Sequence, residues 1–284
     1  MPSAPSGAEG RHGGCFLRPR MVASPALHRL TEGLVAHGVD LSPWRPDFLL
    51  RRLQRSALLS GDVFLDRHVE RLLGSEDALG SFLRDLSIGV SSFFRDPLPF
   101  AALEELVIRD LAREAAAPPR VLSLGCARGQ EAWSAAMLLA ERCSRFSVIG
   151  VDRHSGLLAE AAEGTYSAAE LENVSFGRLK RFLTAEGEQY GMSWELRPFV
   201  SFEEYDFGDG DLPPWVEPES FDLVLCRNVF IYLRREVRGK LLDGIAGALR
   251  SRGALLLGPA DEMPERSDFV RLCDRVGLYR RNPR

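Results

Sequence analysis

The chain has 284 residues, of which 45% are hydrophobic and 27% charged, and its formal net charge is −4. This composition excludes wholesale disorder, and the negative balance gives no electrostatic footprint for nucleic acid. No apolar run approaches the roughly 18 residues of a membrane span, so we expect no membrane insertion and a cytoplasmic location. The five cysteines and five histidines are scattered, which indicates neither a disulfide framework nor a metal site.

The N-terminal third of the sequence shows only helical periodicity. Residues 1–24 are rich in Pro, Gly and Ser and lack the apolar stretch of a secretory signal, so we expect a disordered tail in which Met21 is an alternative start. Apolar spacing over 25–87 predicts a bundle of four helices, and 88–118 is predicted as a linker with a long helix. The apolar side of the second helix is predicted to include Phe48, Leu49, Leu53 and Leu58. The third helix is predicted to carry Phe64 and Leu72.

Strands and helices alternate over residues 119–284. The predicted strands are 120–124, 147–151, 222–226 and 253–258, and the predicted helices are 130–143, 155–163, 234–249 and 265–275. This alternation predicts an α/β fold with a parallel sheet covered on both faces. Residues 165–215 are long for a loop, and short antiparallel strands are predicted at Ser193–Arg197 and Phe199–Phe202, within an insertion at about 175–205.

The stretch 220–232 carries the clearest sign of a binding site. An apolar strand ends in Cys226-Arg227-Asn228, and the chain becomes apolar again through Ile231 and Tyr232. In open α/β sheets, ligands bind beyond the carboxyl ends of the strands, so a site is predicted here. The alternative is an ordinary strand followed by a solvated turn. We interpret Cys226 as a packing residue, because no histidine stands near it in sequence.

A glycine loop follows the first predicted strand. Gly125 and Gly129 bracket a tight turn into a helix, whose first N–H groups are free to bind a ligand. The loop lacks the full G-x-G-x-x-G pattern, which disfavours a dinucleotide-dependent dehydrogenase. Asp152 ends the next strand, where an acidic residue can accept hydrogen bonds from ribose hydroxyls. The alternative for Asp152 is a cap for the helix at 155–163.

Four sequence blocks together resemble one enzyme family. Ser91–Pro97 (Ser-Ser-Phe-Phe-Arg-Asp-Pro), Leu124–Glu131, Val148–Asp152 and Cys226–Tyr232 resemble, in order, the signature blocks of the CheR-type chemotaxis-receptor methyltransferases. The resemblance extends over about residues 25–265. It implies a Rossmann-like domain with a β insertion that helps to hold the receptor. It also implies that glutamates in the cytoplasmic helical domain of a chemoreceptor or related signalling protein are converted to methyl esters. The methyl donor would be S-adenosylmethionine (SAM) and the product S-adenosylhomocysteine.

The resemblance also implies the residues that bind the cofactor, which are Gly89, Ser91, Arg95, Gly125, Gln130, Asp152, Asp206, Phe207, Arg227 and Asn228. Arg95 would pair with the methionine carboxylate, unless it is a surface arginine that pairs with Asp96. Asp206 would accept from the adenine amine, and Phe207 would pack on the ring. Gln130 replaces a family glutamate that contacts the amino group. Gly89, Arg128 and Gln130 depart from the family pattern and favour an alternative, a non-catalytic adaptor that binds SAM or its product and docks on receptors.

The expected chemistry needs orientation more than acid–base catalysis. A glutamate carboxylate is ionised at neutral pH, so a site must align it and remove its water. Tyr232 and Arg227 are the candidate catalytic residues, and core packing is the alternative for Tyr232. Arg51, Arg52 and Arg55 give the second helix a local positive charge. In the resembled family, a basic helix of this kind steers the enzyme toward an acidic receptor. A solvated polar face is the alternative.

Overall fold

Four helices open the described part of the chain and form a bundle. The computed structural model describes residues 24–37, 39, 41–86, 91–114 and 117–283. The helices are α1 (Pro25–Ala36), α2 (Pro46–Leu59), α3 (Leu65–Leu73) and α4 (Glu76–Leu86). Their apolar sides meet in one core, which includes Leu30, Leu34, Leu53, Leu72 and Phe82. Residues 1–23 of the predicted tail and Gly89 lie outside the described residues.

Two apolar residues predicted for this core are exposed instead. The buried side of α2 consists of Phe48, Leu49, Leu53 and Ala57, so the placement of Leu58 on that side is wrong. Each residue turns the helix by about 100°, and Leu58 therefore falls away from a stripe spaced at i, i+4 and i+8. Phe64 precedes α3 and is also exposed, so its predicted packing is wrong as well.

A long helix connects the bundle to the rest of the chain. It begins as α5 (Pro97–Leu103), passes through one π-helical segment (Glu104–Ile108) and ends as α6 (Arg109–Glu114). Leu103, Val107 and Ile108 pack into the core beneath the main sheet. The helix thereby fixes the preceding segment, residues 91–96, against the sheet.

The main sheet has seven strands and a Rossmann-like α/β arrangement. Its strands are β1 (Arg120–Leu124), β2 (Ser147–Asp152), β6 (Val200–Glu204), β7 (Phe221–Cys226), β8 (Leu249–Leu257), β9 (Phe269–Cys273) and β10 (Leu278–Arg281), in the spatial order β6-β2-β1-β7-β8-β10-β9. The helices α7 (Gln130–Ala140), α8 (Ser155–Glu163) and α10 (Arg235–Ala248) alternate with them. The predicted α/β fold is confirmed. No helix in the described part of the chain is long and apolar enough to span a membrane.

The predicted helix at 265–275 is wrong, because Phe269–Cys273 form β9 and the residues on either side are irregular or turns. This strand pairs antiparallel with β10, which in turn pairs antiparallel with β8, so the sheet is mixed and not wholly parallel. A short apolar run does not distinguish a helix from a strand by its period. Here β9 supplies the hydrogen-bond partners that the edge of β10 would otherwise lack.

The insertion forms a small antiparallel sheet earlier than its predicted place. Its strands are β3 (Thr165–Ser167), β4 (Leu183–Glu186) and β5 (Gln189–Met192), in the order β3-β5-β4, with α9 (Phe176–Phe182) between the first two. The antiparallel strands predicted at 193–197 and 199–202 are wrong. Residues 193–196 form a turn, and β6 joins the main sheet parallel to β2. The Phe202 ring explains this, since it packs 5.7 Å from Trp133 and fills the space above Gly150.

The helical bundle is joined to the residues that follow β7. Trp44 and Leu233 form an isolated antiparallel bridge. The Arg45 N–H donates to the Tyr232 carbonyl at 2.9 Å, and the Arg234 N–H donates to the Pro43 carbonyl at 3.0 Å. The bundle is therefore held beside the carboxyl edge of the main sheet.

Candidate functional site

A pocket of about 160 Å³ lies at the carboxyl ends of β1, β2 and β7. The segments that follow these strands form its floor, residues 91–95 form one side, and Trp44 of the bundle forms another. The predicted site residues that line it are Ser91, Arg95, Gly125, Asp152, Asp206, Phe207, Arg227, Asn228 and Tyr232. Side chains far apart in sequence meet here because parallel strands end at a common edge.

The backbone of the pocket floor adopts uncommon conformations. Gly125 has a φ of 73°, and a Cβ there would lie 2.8 Å from the Val229 Cγ2 atom. Ala127 and Asn228, which are not glycines, also have positive φ values of 48° and 59°. Such residues cluster at binding sites, where the surrounding structure maintains them. The loops after β1 and β7 therefore pack closely against each other at the floor of the pocket.

The carboxylate of Asp152 is buried at the centre of the pocket. Its Oδ2 atom accepts the Ala127 N–H at 2.9 Å, and its Oδ1 atom accepts the His154 N–H at 3.1 Å. The Nδ1 atom of His154 also lies 2.9 Å from Oδ1. Asp152 therefore joins the glycine loop to the start of α8. The capping position of α8 belongs to His154, so the predicted alternative of a helix cap does not describe Asp152.

The Phe-Phe-Arg-Asp segment is anchored by its two aromatic rings. Phe93 packs edge-on against Tyr166 at 4.8 Å, and Phe94 packs against Phe100 at 5.3 Å. The Phe94 N–H donates to the Ser134 hydroxyl at 3.0 Å, which ties the segment to α7. Arg95 is left half-buried at the pocket.

Arg227 links three parts of the site through its guanidinium group. Its side chain is only 1% exposed, and it contacts Asp96 at 3.1 Å and Glu131 at 3.5 Å. It also donates to the Arg95 carbonyl at 2.9 Å. Burial raises the pKa of the Glu131 carboxyl group, and the charge of Arg227 opposes that shift. Arg227 therefore holds the 95–96 segment against α7 and the end of β7.

Asp261 fixes the turn that follows β7. This buried carboxylate accepts N–H groups from Asn228, from Ile231 at 3.2 Å and from Gly258 at 3.0 Å. Burial raises the pKa of Asp261, and these backbone hydrogen bonds oppose the shift. Cys226, the last residue of β7, is fully buried, and burial raises the pKa of its thiol well above the usual value. These facts favour packing over nucleophilic catalysis for Cys226.

Aromatic rings form the wall between the pocket and the helical bundle. Tyr232 lies 4.6 Å from the Phe48 ring and 5.9 Å from the Trp44 ring. The guanidinium of Arg153 lies 4.7 Å from the Trp44 ring, and that of Arg52 lies 5.5 Å from the Phe48 ring. Burial raises the pKa of Tyr232, against the opposing charges of Arg52 and Arg95. Tyr232 therefore both packs on the bundle and lines the pocket.

Two of the residues that depart from the resembled pattern point away from the pocket. Gln130 is buried, and its Nε2 atom donates to Glu170 at 3.2 Å. Arg128 pairs with Glu170 and with Glu160, the latter at 2.6 Å. The carboxylate beside the pocket belongs to the next residue, Glu131. The expectation that the Gln130 side chain faces the cofactor site is therefore corrected.

Several residues that line or support the pocket were missed by sequence reasoning, namely Trp44, Glu131, Arg153, His154 and Asp261. A signal existed for Asp261, because it follows the carboxyl end of β8 at the same edge of the sheet. No such signal marks Trp44, whose place depends on how the bundle packs. The predicted arginines of α2 lie outside the pocket lining. Arg51 is exposed and pairs with Asp47 at 3.1 Å, and Arg55 is exposed.

Comparison with known proteins agrees with this geometry. Residues 89–276 match the family model described as CheR methyltransferase, SAM binding domain. A chemotaxis protein methyltransferase of Listeria monocytogenes is 26% identical over 234 residues, which cover 82% of this chain and 87% of that protein. A chemotaxis protein methyltransferase of Escherichia coli is 28% identical over 254 residues, covering 85% of this chain and 86% of that one.

One longer relative and one more distant solved structure also match. A 104.1 kDa protein of Rhodobacter capsulatus is 32% identical over 264 residues, which cover 89% of this chain. The chain spans 27% of the length of that relative. Among solved structures, TehB from Haemophilus influenzae matches with a TM-score of 0.31 and 19% identity, over 53% of this chain and 38% of that one.

Proposed function

The chain belongs to the CheR methyltransferase family, and we propose that it transfers a methyl group from SAM to glutamate side chains of a chemoreceptor-like signalling protein. The observation that carries the proposal is the meeting of four separate sequence blocks around one pocket, with the buried Asp152 carboxylate at its centre. Relatives called chemotaxis protein methyltransferases, which align over most of the chain, support the same reaction.

The pocket offers a suitable group for each part of SAM. Asp152 presents acceptor oxygens for the ribose hydroxyls, and the Phe207 ring and the exposed Asp206 carboxylate suit an adenine base. Arg95 is the cation for the methionine carboxylate. Glu131, which lines the pocket where Gln130 does not, is the proposed carboxylate for the amino group. The close approach of the Gly125 backbone fits a ligand that lies along the glycine loop.

The chemistry makes modest demands on the side chains. When bound, SAM supplies a methyl group on a positively charged sulfur, which leaves as a neutral thioether. The accepting glutamate is already ionised, so the residues of this chain have to orient it and exclude water. The rings of Trp44, Phe48 and Tyr232 provide an apolar wall for this purpose. Tyr232 is the proposed residue that contacts the substrate. Arg227 has a positioning role, since its guanidinium is occupied by Asp96 and Glu131.

The proposed partner surface is the exposed side of α2. Arg51, Arg52 and Arg55 lie on a helix whose first turns reach the pocket wall through Phe48. A cytoplasmic helical domain of a chemoreceptor carries acidic methylation sites, and cations beside the pocket would attract it.

Catalysis is favoured over the adaptor alternative. Of the three departures that favour an adaptor, Arg128 and Gln130 have side chains turned toward Glu170 and away from the pocket. The third, Gly89, lies outside the described residues. The residues that form the pocket itself retain the chemistry that the reaction requires.

A product assay tests the proposed reaction. Incubation of the protein with methyl-labelled SAM and receptor cytoplasmic fragments should place label on glutamate as a methyl ester. Mild base should release that label as volatile methanol, because esters hydrolyse under conditions in which N-methyl groups persist. Label that survives base would identify another acceptor atom. SAM binding without any labelled receptor would establish the adaptor in place of the enzyme.

Replacement of Tyr232 by phenylalanine should lower kcat for ester formation about ten- to a hundredfold and leave the SAM dissociation constant within about twofold. The phenylalanine keeps the ring that packs on Phe48 and removes only the hydroxyl. An interaction made mainly in the transition state affects kcat in this way. If kcat is unchanged while the variant is fully folded, the role of Tyr232 is limited to packing.

A further inference from the structure

The end of α2 and the loop after it carry four large apolar side chains that are exposed. Leu58 is 79% exposed, Leu59 73%, Val63 87% and Phe64 65%. We call these four residues the apolar tip. Single exposed leucines are common, but four exposed apolar residues between positions 58 and 64 are unusual, and apolar patches generally mark contact surfaces.

The apolar tip continues the basic face of α2. Arg51, Arg55 and Leu58 stand at i, i+4 and i+7, and Leu59 stands four residues after Arg55, so they share one side of the helix. Leu49 and Leu53, on the opposite side, are buried in the bundle core. A molecule that lies along the exposed side would therefore meet two arginines first and the apolar tip next.

Polar contacts tie the loop that carries the tip to α2 and α3. His68 is fully buried, and its Nδ1 atom lies 2.7 Å from an Asp62 carboxylate oxygen, while its Nε2 atom lies 2.9 Å from the Ser56 hydroxyl. Arg71 pairs with the same Asp62 carboxylate at 2.6 Å. The Asp62 N–H donates to the Ala57 carbonyl at 2.9 Å. The apolar tip is thus preorganised, which reduces the entropy lost on binding.

We infer that the apolar tip is a second contact site for the receptor substrate and sets which glutamate reaches the pocket. The inference rests on the proposed function. Phe48, near the start of α2, contacts Tyr232 at the pocket, and Leu59 ends the helix. The distance along the axis between them is about 16 Å, which corresponds to about 11 residues, or three turns, of a helix lying beside α2.

The partner is therefore a helix of acidic character that places a glutamate at the pocket and an apolar residue on the tip. A spacing of about 11 residues returns to nearly the same side of a helix, so one helix can make both contacts. Its negative charge is complementary to Arg51 and Arg55, which lie between the two contact points. The tip then supplies the apolar anchor, and the arginines supply steering.

A titration of receptor fragment into the protein loaded with S-adenosylhomocysteine tests this inference without turnover. The double variant Leu58→Ser/Phe64→Ser should weaken fragment binding about tenfold and leave cofactor affinity within about twofold. Surface substitutions of this kind have small effects on stability. Val270→Ser, at a half-exposed valine on β9, is the matched control and should bind the fragment as wild type does. Arg51→Glu/Arg55→Glu should instead reduce the salt dependence of binding.

Substitution in the receptor helix locates the contact. Serine in place of an apolar residue about 11 positions from the methylated glutamate should weaken binding in wild type but add little in the Leu58→Ser/Phe64→Ser variant. Unchanged fragment affinity in that variant overturns the inference. If wild type forms a dimer and the variant does not, the inference is also overturned. The tip is then a contact between two copies of this chain. If the wild-type protein binds the fragment but forms no ester, the proposed function is contradicted. The binding titration still tests the contact at the apolar tip, because it does not depend on turnover.

Discussion

Replacing Asp152 by alanine should weaken SAM binding about ten- to a hundredfold, which corresponds to about 1.5–3 kcal/mol for the loss of a hydrogen-bonded charged group. The carboxylate is buried at the centre of the pocket and organises both adjoining loops through the N–H groups of Ala127 and His154. Isothermal titration with SAM and with S-adenosylhomocysteine measures the effect, and both ligands should lose affinity to a similar extent because the ribose is common to them.

Asp222→Ala is the matched control for this experiment. Asp222 is also buried, but it lies near the start of β7 and accepts from Arg250 at 2.9 and 2.8 Å. Its removal should lower thermal stability and leave the SAM affinity of the folded protein unchanged. A folded Asp152→Ala variant with wild-type affinity for SAM would show that the ribose assignment is wrong.

Replacing Arg227 by methionine should destabilise the protein by about 3–5 kcal/mol, because it leaves the buried Glu131 carboxylate without its cation. The Arg227 side chain is 1% exposed, so solvent compensates little for its loss. Urea unfolding at neutral pH measures the change. The double variant Arg227→Met/Glu131→Gln should recover part of the lost stability, since it removes the unpaired charge as well as its partner.

The cost of Arg227→Met should also depend on pH. Burial already raises the pKa of Glu131, and removal of the opposing charge raises it further. The folded state then binds a proton more readily than the unfolded state, so stability falls as pH rises through the raised pKa. The destabilisation should accordingly be smaller at acid pH than at neutral pH. An equal cost at both would show that Glu131 does not carry the effect.

The sequence predicted the position of the site better than its details. The strand ends at Leu124, Asp152 and Cys226 could be placed at one edge because parallel strands of an α/β sheet end together. The sequence could not show which of Gln130 and Glu131 faces the pocket. Consecutive side chains on a helix differ in direction by about 100°, and the exact start of a helix is uncertain from sequence.

Other errors arose where tertiary packing decides the outcome. The segment containing Phe269 has an apolar pattern that suits a helix or a strand, and only the free edge of β10 makes it a strand. The prediction places Leu58 on the apolar side of α2 because it is a leucine, but the small residue Ala57 occupies the buried position at the i, i+4 and i+8 spacing. The wall at Trp44 depends on contacts between the bundle and the segment after β7, which local periodicity does not describe.

The backbone bonds between Pro43–Arg45 and residues 232–234 have a consequence for the order of binding. Hydrogen bonds of about 3 Å join the segment that lines the cofactor pocket to the residues immediately before α2, the proposed receptor-facing helix. A ligand that displaces the Tyr232 backbone should therefore also displace the start of α2. Since the free energy of such coupling is reciprocal, occupancy of the pocket should change affinity for a receptor at the proposed α2 surface by the same factor as that receptor changes affinity for the cofactor.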